Sequence, residues 1–466
     1  MKKQEQSMKA QTRQETRSDE QPSPLTLYPS HSTPYSLHLA RILLVAALFG
    51  APLAFGAVLP WAWAALGLVA ALALFLWALG SVQQGALKLV WSPLYIPLAL
   101  FFLLGVAQYA ARLTLDRSET RQALVLLVAD LTFFFLAVQL FAGAPHRTVQ
   151  GGAGSRALPV FGLAVLVFAG CMGLFAIVQF ASGAQRIYGI VETPGGLFGP
   201  YVDPDHFAGL MEMLVPVAVL YIAGRRGRSS LEASVWRVIA VTLALASLLL
   251  SGSRGGLLAL SAEILIATMA LRRAGAGTGT TERRRLTMAA AVALCAGVML
   301  FAYVDPGQVA KKLGSVAYVN STWANWAGDR KNMTLDSLRM WRDHPVLGVG
   351  LGDFETAYPR YQSFPTDVWI DHAHNDYAEA LAETGLVGAL LILSALALFL
   401  RLAFRDWGQP FRSQAGWIRL GAAIGCCGLL LHSFLDFNLH IPANAAWFAV
   451  LAGIATTARA SETTQD

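Results

Sequence analysis

Long apolar runs alternate with short polar tracts along most of the chain. The hydrocarbon core of a bilayer is about 30 Å thick, so roughly 20 apolar residues in a helix cross it. Backbone amides find no partner in lipid, and the runs lack the alternating pattern of barrel strands, so they predict helices. We expect about twelve spans, at residues 41–59, 62–80, 93–111, 122–142, 157–181, 206–223, 232–251, 255–271, 287–303, 376–400, 417–435 and 442–458.

The polar tracts divide the chain into segments. Residues 1–36 are rich in Gln, Ser and Thr and poor in apolar residues, which predicts a disordered cytoplasmic tail rather than a signal peptide. A helix is expected near Met333 to Trp341, within the longest polar segment. The other predicted segments are spans one to nine at 37–303, a large periplasmic loop with short helices at 304–375, spans ten to twelve at 376–458, and a cytoplasmic C-terminal tail at 459–466.

Composition supports a membrane protein. Hydrophobic residues make up 55% of the chain and charged residues only 14%, against about 25% charged in ordinary soluble domains. The net charge of +6 comes mainly from basic residues in short loops, where the positive-inside rule places them in the cytoplasm. We therefore expect a multi-pass protein of the inner membrane with both termini in the cytoplasm. Its partner surface is the lipid bilayer, and no nucleic acid is expected. The cysteines all lie in apolar runs, so they predict neither a disulfide framework nor a zinc site.

The densest group of ionisable residues is the stretch from Asp371 to Tyr377, directly before span ten. Helical spacing places Asn375, Glu379 and Glu383 on one face, below His374. Ionisable groups are costly in the outer leaflet, which favours a functional role. The alternative is a pair of interfacial histidines beside a helix start, with Asp376 favouring the helix dipole.

These residues resemble the histidine signature of O-antigen ligases, related polymerases and protein O-oligosaccharyltransferases, in which a His-Asn pair, nine further residues and a glycine follow one another. Here they are His374, Asn375 and Gly385. The resemblance covers roughly residues 160–450 in the expected order. The other matching segments are Gly199 to Ala208, Ser251 to Gly256, His344 to Gly352, Glu383 to Gly388 and His432 to Asn438.

The resemblance implies an all-α polytopic fold similar to GT-C-like glycosyltransferases. It implies transfer of a glycan from an undecaprenyl-diphosphate-linked donor to an acceptor hydroxyl at an active site that faces the periplasm, without a metal or other cofactor. His374 is the expected base, because its intrinsic pKa suits proton abstraction, and Arg254 is expected to hold the diphosphate. The remaining residues predicted to bind substrate are Arg186, Arg330, His372, Asn375, Glu379, Asp205 and His206.

One departure from the resemblance concerns Asp203 and Asp205, because family members often carry asparagine there. Two carboxylates would oppose binding of a diphosphate unless they are paired or protonated. Arginines at a membrane surface also have a simpler explanation, since Arg254, Arg186 and Arg330 can each be long cations that reach the interface. Three further acids, Asp130, Glu212 and Glu263, fall inside apolar runs. They are expected either to pair with other helices or to form an ion path.

Several functions stay open at this point. The acceptor is lipid A core for a ligase, a growing glycan for a polymerase and a protein hydroxyl for an O-oligosaccharyltransferase. A transporter of a small anion is the alternative from another class. It would predict inverted repeats and broken helices at the bilayer midplane, whereas the polar residues here gather at one surface.

Overall fold

The computed structural model describes residues 34–85, 87, 89–142, 153–192, 198–225, 230–274, 322–366, 369–405 and 413–457. Most of the described residues are helical. They are α1 (Tyr35–Leu53), α2 (Pro60–Gln83), α3 (Tyr95–Ala110), α4 (Arg117–Phe141), α5 (Ala153–Ala181), α6 (Pro204–Ala223), α7 (Leu231–Ser251), α8 (Arg254–Ala274), α9 (Thr322–Asp343), α10 (Phe354–Ala357), α11 (Asp376–Ala403), α12 (Gln414–His432) and α13 (Pro442–Thr456). A two-stranded antiparallel hairpin pairs β1 (Arg186–Ile187) with β2 (Val191–Glu192).

The predicted all-α polytopic class is confirmed. Within the described residues, eight helices are long and apolar enough to cross a membrane, namely α1, α2, α4, α5, α6, α7, α11 and α12. Two predicted spans, 93–111 and 442–458, correspond to the shorter apolar helices α3 and α13. The predicted span 255–271 corresponds to α8, and 287–303 lies outside the described residues. The count of about twelve spans stays a prediction.

Two boundaries differ from the predictions. Helix α1 begins at Tyr35, directly after Pro34, so residues 35–36 are helical rather than part of the disordered tail, whose first 33 residues lie outside the described part. The helix expected near Met333 to Trp341 is much longer and begins at Thr322. Arg330 therefore lies in the interior of α9. The sequence from Thr322 to Arg330 mixes apolar and polar residues, so no long apolar run predicted this extension.

The centre of the bundle is formed by α6, α12 and α13. Nearly every residue of α6 is buried, and α13 places the fully buried Trp447 between α1 and α5. The Trp447 indole nitrogen donates to the Leu48 carbonyl oxygen at 2.7 Å, and its ring stacks near Phe49 and Phe168. An indole in an apolar core normally needs such an acceptor. The buried end of α6 carries Asp205 and His206, so this core also positions the residues discussed below.

Helix α11 is broken at Gly385, whose φ of 62° and ψ of −162° are not helical. The break exposes backbone groups that would otherwise be paired within the helix, and such groups need partners in a membrane. The glycine-rich segment 344–352 supplies them. The backbone hydrogen bonds across the break run from Val349 to Ala382, Gly350 to Glu383, Leu386 to Pro345 and Val387 to Val346, at 2.9–3.2 Å.

The side chain of Gln108, on α3, completes this junction. It is buried, and its amide nitrogen donates to the carbonyl oxygens of Leu347 and Glu383 at 2.6 and 2.9 Å. Its oxygen accepts from the Leu351 amide at 3.2 Å. The glycine-rich segment and the start of α11 are therefore held as one unit, and that unit carries the histidine motif.

Candidate functional site

His374 lies in the loop immediately before α11 and is held by a buried carboxylate. Its Nδ1 lies 2.8 Å from Oδ1 of Asp436, and Asp436 is completely buried. The backbone of His374 has a φ of 48°, which is uncommon for a residue with a side chain. Asn375 follows as the cap of α11, because its side-chain oxygen accepts the amides of Tyr377 and Ala378. The cap fixes the helix start, and the loop before it presents the imidazole to Asp436.

Three imidazoles surround the ring of Phe437. The ring centroid of His206 is 4.6 Å from that of Phe437, His372 stacks on it at 4.3 Å, and His374 meets it edge-on at 4.8 Å. His206 comes from the start of α6, whereas the other two histidines precede α11. Phe437 thus brings together residues that are far apart in sequence.

Arg330 connects α9 to this group. Its Nη2 donates to Oδ2 of Asp205 at 3.1 Å, and its Nη1 donates to the Leu435 carbonyl oxygen and lies 3.9 Å from Oδ1 of Asp436. Arg254, the first residue of α8, interacts electrostatically with both Asp205 and Arg330. The structure therefore gathers two arginines and two carboxylates beside His374.

Burial and neighbouring charges set the proton affinities here. Burial alone would raise the pKa of Asp436, but the hydrogen bond from His374 and the charges of His206 and Arg330 lower it well below its usual range. For Asp203, burial is the largest effect and raises the pKa, and Asp436 and Asp205 raise it further against the influence of His206. Asp205 is paired with Arg330. Of the two acids that depart from the family pattern, Asp205 is therefore paired with a cation, and the surroundings of Asp203 favour its protonated form.

Two buried polar atoms in the site face each other without a hydrogen bond to any described residue. They are His206 Nε2 and Asp436 Oδ2, which lie 3.9 Å apart. A buried polar atom left without a partner is costly and uncommon in folded proteins. Such atoms mark places where a ligand or water completes the structure.

The region that contains His374 and both arginines has known relatives. Residues 239–393, about a third of the chain, match the family model described as O-antigen ligase. Over these residues the chain is similar to the O-antigen ligase family. None of the curated proteins matches the chain. The apolar helices indicate a multi-pass membrane protein, and the match shows that part of it is similar to O-antigen ligases.

The O-antigen ligase region does not contain the whole site. Arg254, Arg330 and His374 lie inside the matched residues, whereas Asp205 and Asp436 lie outside them. The buried carboxylate that contacts His374 is therefore supplied by the segment between α12 and α13. This segment is part of the sequence resemblance, but the sequence alone predicted no role for Asp436 or Phe437. Both residues follow His432 in a short tract between two apolar helices, and an acid in such a tract could have indicated a site residue.

Further buried ionisable residues lie close to the site. His432 Nδ1 is 2.9 Å from Oε1 of Glu212, so this pair joins α12 to α6. Gly255 packs against the same ring, since an added Cβ would lie 2.2 Å from His432 Nε2. Both carboxylate oxygens of Glu263 are buried without a hydrogen-bond partner in the described part of the chain. For Glu212, the expected pairing with another helix is confirmed.

Another cluster is formed by His372, which stacks on Phe437, together with Glu379 and His440. His372 Nδ1 is 2.7 Å and His440 Nε2 is 3.3 Å from Oε1 of Glu379. Burial would lower the pKa of His440, but the carboxylates of Glu379 and Asp376 outweigh it and raise the pKa to about 10. His372 and Glu379, both predicted as site residues, are therefore brought together, with His440 added by the structure.

Arg186 is placed differently from the other predicted residues. It belongs to the hairpin β1–β2, where its Nε donates to Glu192 Oε1 at 3.0 Å, and both side chains are exposed. Among the described residues its ion pair is with Glu192 alone, and no polar contact joins it to His374. Its predicted role in substrate binding stays a prediction.

Proposed function

We propose that this protein transfers a glycan from an undecaprenyl-diphosphate-linked donor to an acceptor hydroxyl, with His374 as the general base and arginines at the diphosphate. The observation that carries the proposal is the contact between His374 Nδ1 and Asp436 Oδ1, with Arg330 beside the same carboxylate. A base held by a buried carboxylate and flanked by fixed cations suits a reaction that needs proton removal and anion stabilisation.

The carboxylate determines which nitrogen of His374 can act. A hydrogen bond from Nδ1–H to Asp436 leaves the lone pair on Nε2, and no described residue hydrogen-bonds to that atom. The same arrangement orients the base in hydrolases that pair histidine with a buried aspartate. Asp436 also stabilises the imidazolium that forms after proton transfer. His374 Nε2 is thus the proposed proton acceptor.

The arginines are the proposed diphosphate ligands. A guanidinium presents paired donors to phosphate oxygens and stays charged at any working pH. In the structure Arg330 uses these donors on Asp205 and on the Leu435 carbonyl oxygen. A bound diphosphate would replace Asp205 as the partner of Arg330. Arg254, at the start of α8, would bind the same diphosphate.

The reaction balances without an added reagent. The acceptor oxygen attacks the anomeric carbon of the donor sugar, and the bond from that carbon to the phosphate oxygen breaks. The hydroxyl proton passes to His374 Nε2, and undecaprenyl diphosphate leaves with the bonding electrons. Because the leaving group is already a stabilised anion, the protein mainly has to position both substrates and neutralise the diphosphate. No step requires a metal.

We place the site on the periplasmic side, following the distribution of basic loops. This sidedness can be tested with single cysteines introduced at the exposed Trp369, near His374, and at the exposed Arg401, near the other end of α11. A membrane-impermeant maleimide applied to cells with a permeabilised outer membrane should label Trp369→Cys and spare Arg401→Cys. The reverse pattern would refute the proposed orientation.

The activity itself is tested with purified protein in liposomes, supplied with an undecaprenyl-diphosphate oligosaccharide. Three acceptors are compared: lipid A core, a second lipid-linked oligosaccharide and a serine-containing peptide. Transfer to one of them, lost in His374→Ala and kept in His344→Ala, would support the proposal and identify the branch. His344 is a suitable control because it is exposed and outside the site. Uptake of a small anion without any transfer would favour the transporter instead.

A further inference from the structure

The cluster of His372, Glu379 and His440 has the composition of a metal site. Each residue offers one ligand atom, and the three atoms lie within 4.8 Å of one another. They come from three separate places in the fold: the loop before α11, the first turns of α11, and the short 3-10 helix Asn438–His440. Glu379 is buried, and the two histidine side chains are about one quarter to one third exposed, at 26% and 31%.

Two imidazole nitrogens face one carboxylate oxygen in this cluster. Asp376 Oδ1 lies 2.7 Å from His440 Nδ1, so a neutral His440 carries its proton there and its lone pair on Nε2. That Nε2 faces Oε1 of Glu379, as does Nδ1 of His372. A cation that displaces the protons between these atoms would therefore meet two imidazole nitrogens and a carboxylate oxygen.

A single divalent ion can bind these three atoms at once, since each residue offers one ligand atom. The separation of ligand atoms around tetrahedral zinc is about 3.3 Å. The observed 3.3 Å between His440 Nε2 and Glu379 fits this value, and the 2.7 Å contact of His372 requires only a small ring movement.

The surrounding hydrogen bonds resemble those of known metal sites. Metal-binding histidines usually donate their second nitrogen to a carboxylate, and metal-binding carboxylates are themselves hydrogen-bonded. Asp376 provides the first feature for His440, and its other oxygen accepts the Leu439 amide at 3.2 Å. The Ala373 amide provides the second feature by donating to Oε2 of Glu379 at 2.7 Å.

A neighbouring group of Asp205, His432 and Asp436 also has ligand atoms close together. It is a poorer candidate because a cation, Arg330, already pairs with both of its aspartates. The arginine therefore distinguishes the second cluster from the first.

We propose that His372, Glu379 and His440 bind one divalent transition-metal ion, with zinc the best match to two imidazoles and a carboxylate. The ion would join the loop that carries His374 to α11 and to the segment that carries Asp436. Its role is to position these elements, and it takes no part in the transfer step. This site does not depend on the proposed function, because metal binding can be measured without any glycan substrate.

The test uses the full chain in detergent, without an affinity tag and dialysed against a chelator. Zinc affinity is measured by competition with a chromophoric chelator, and cobalt serves as a spectroscopic probe. We expect about one equivalent of zinc and the intense visible bands of four-coordinate cobalt. Asp376→Asn should weaken binding about 10–100-fold, and His440→Ala and Glu379→Gln should weaken it more, because they remove ligands. His344→Ala is the matched control and should bind as the unmodified chain does.

The unmodified chain alone keeps the proposal falsifiable if the variants do not fold. Weak, octahedral-type cobalt bands in that protein, or no zinc competition at micromolar concentrations, would overturn it. Zinc affinity that is unchanged in a folded His440→Ala variant would also overturn it. Failure of glycan transfer with normal zinc binding would refute the proposed function and leave the metal site standing.

Discussion

The break in α11 gives the sharpest structural prediction, which is that Gly385→Ala destabilises the whole junction. An added Cβ would lie 2.4 Å from the carbonyl carbon of Val346, and a backbone atom cannot move aside as a flexible side chain can. The substituted residue would also have to keep a φ of 62° and a ψ of −162°. A side chain in such a conformation costs about 1–3 kcal/mol. Loss of the hydrogen bonds across the break, at about 0.5–1.5 kcal/mol each, would add several more.

That sum is comparable with the roughly 5–15 kcal/mol that stabilises a typical folded domain. We therefore expect Gly385→Ala to lower the melting temperature in detergent sharply, measured by monodispersity after a series of heating steps. Gly67→Ala, in the middle of α2, is the control, because an added Cβ there meets no atom within 4 Å. Alanine at that position should be neutral or stabilise by up to about 1 kcal/mol. Equal melting of the two variants would refute the argument from the break.

Three other substitutions probe the site. Asp436→Asn should slow transfer on the order of 10²–10⁴-fold, because an amide cannot stabilise the imidazolium of His374, and adding His374→Ala should cause little further loss if the two act as a unit. The folded-state pKa of Asp436 is depressed, so its contribution to stability should be full above about pH 4 and should decline as the pH falls further. The unfolding curves at pH 3 and pH 6 should therefore differ less for Asp436→Asn than for the unmodified protein. Arg330→Lys should raise the KM for the lipid-linked donor about 10–100-fold through loss of paired hydrogen bonds, and an unchanged KM would exclude it from diphosphate binding. Gly255→Ala should cost about 1–3 kcal/mol of stability, because its Cβ would overlap the His432 ring, and wild-type melting would contradict this packing.

The apolar pattern predicted most of the fold because the membrane constrains it so strongly. Lipid permits helices and little else, so span positions follow from run lengths. The first half of α9 was missed because its sequence from Thr322 to Arg330 mixes Trp and Ala with polar residues and contains no long apolar run. The sequence also did not predict the break at Gly385, because the residues on both sides fit one continuous helix. The interruption is explained only by the hydrogen bonds to the glycine-rich segment 344–352.

The sequence indicated several of the ionisable residues that the structure brings together, but not how they are arranged. His374, Arg254 and Arg330 stand out because charged groups beside apolar runs are expensive. Nothing in sequence order shows that Asp436 contacts His374, because the two residues are separated by α11 and α12. His440 had no distinguishing pattern, and its relation to His372 and Glu379 appears only once the chain is folded.

The division of the site between Asp205, His374 and Asp436 limits how this protein can be engineered. A fragment that contains only the region matched by the family model would carry His374 but neither of the carboxylates. Chimeras between relatives should therefore exchange the start of α6, the loop before α11 and the segment between α12 and α13 together. A chimera that exchanges fewer than these three segments would place His374 beside residues of another protein and without the aspartate that contacts it.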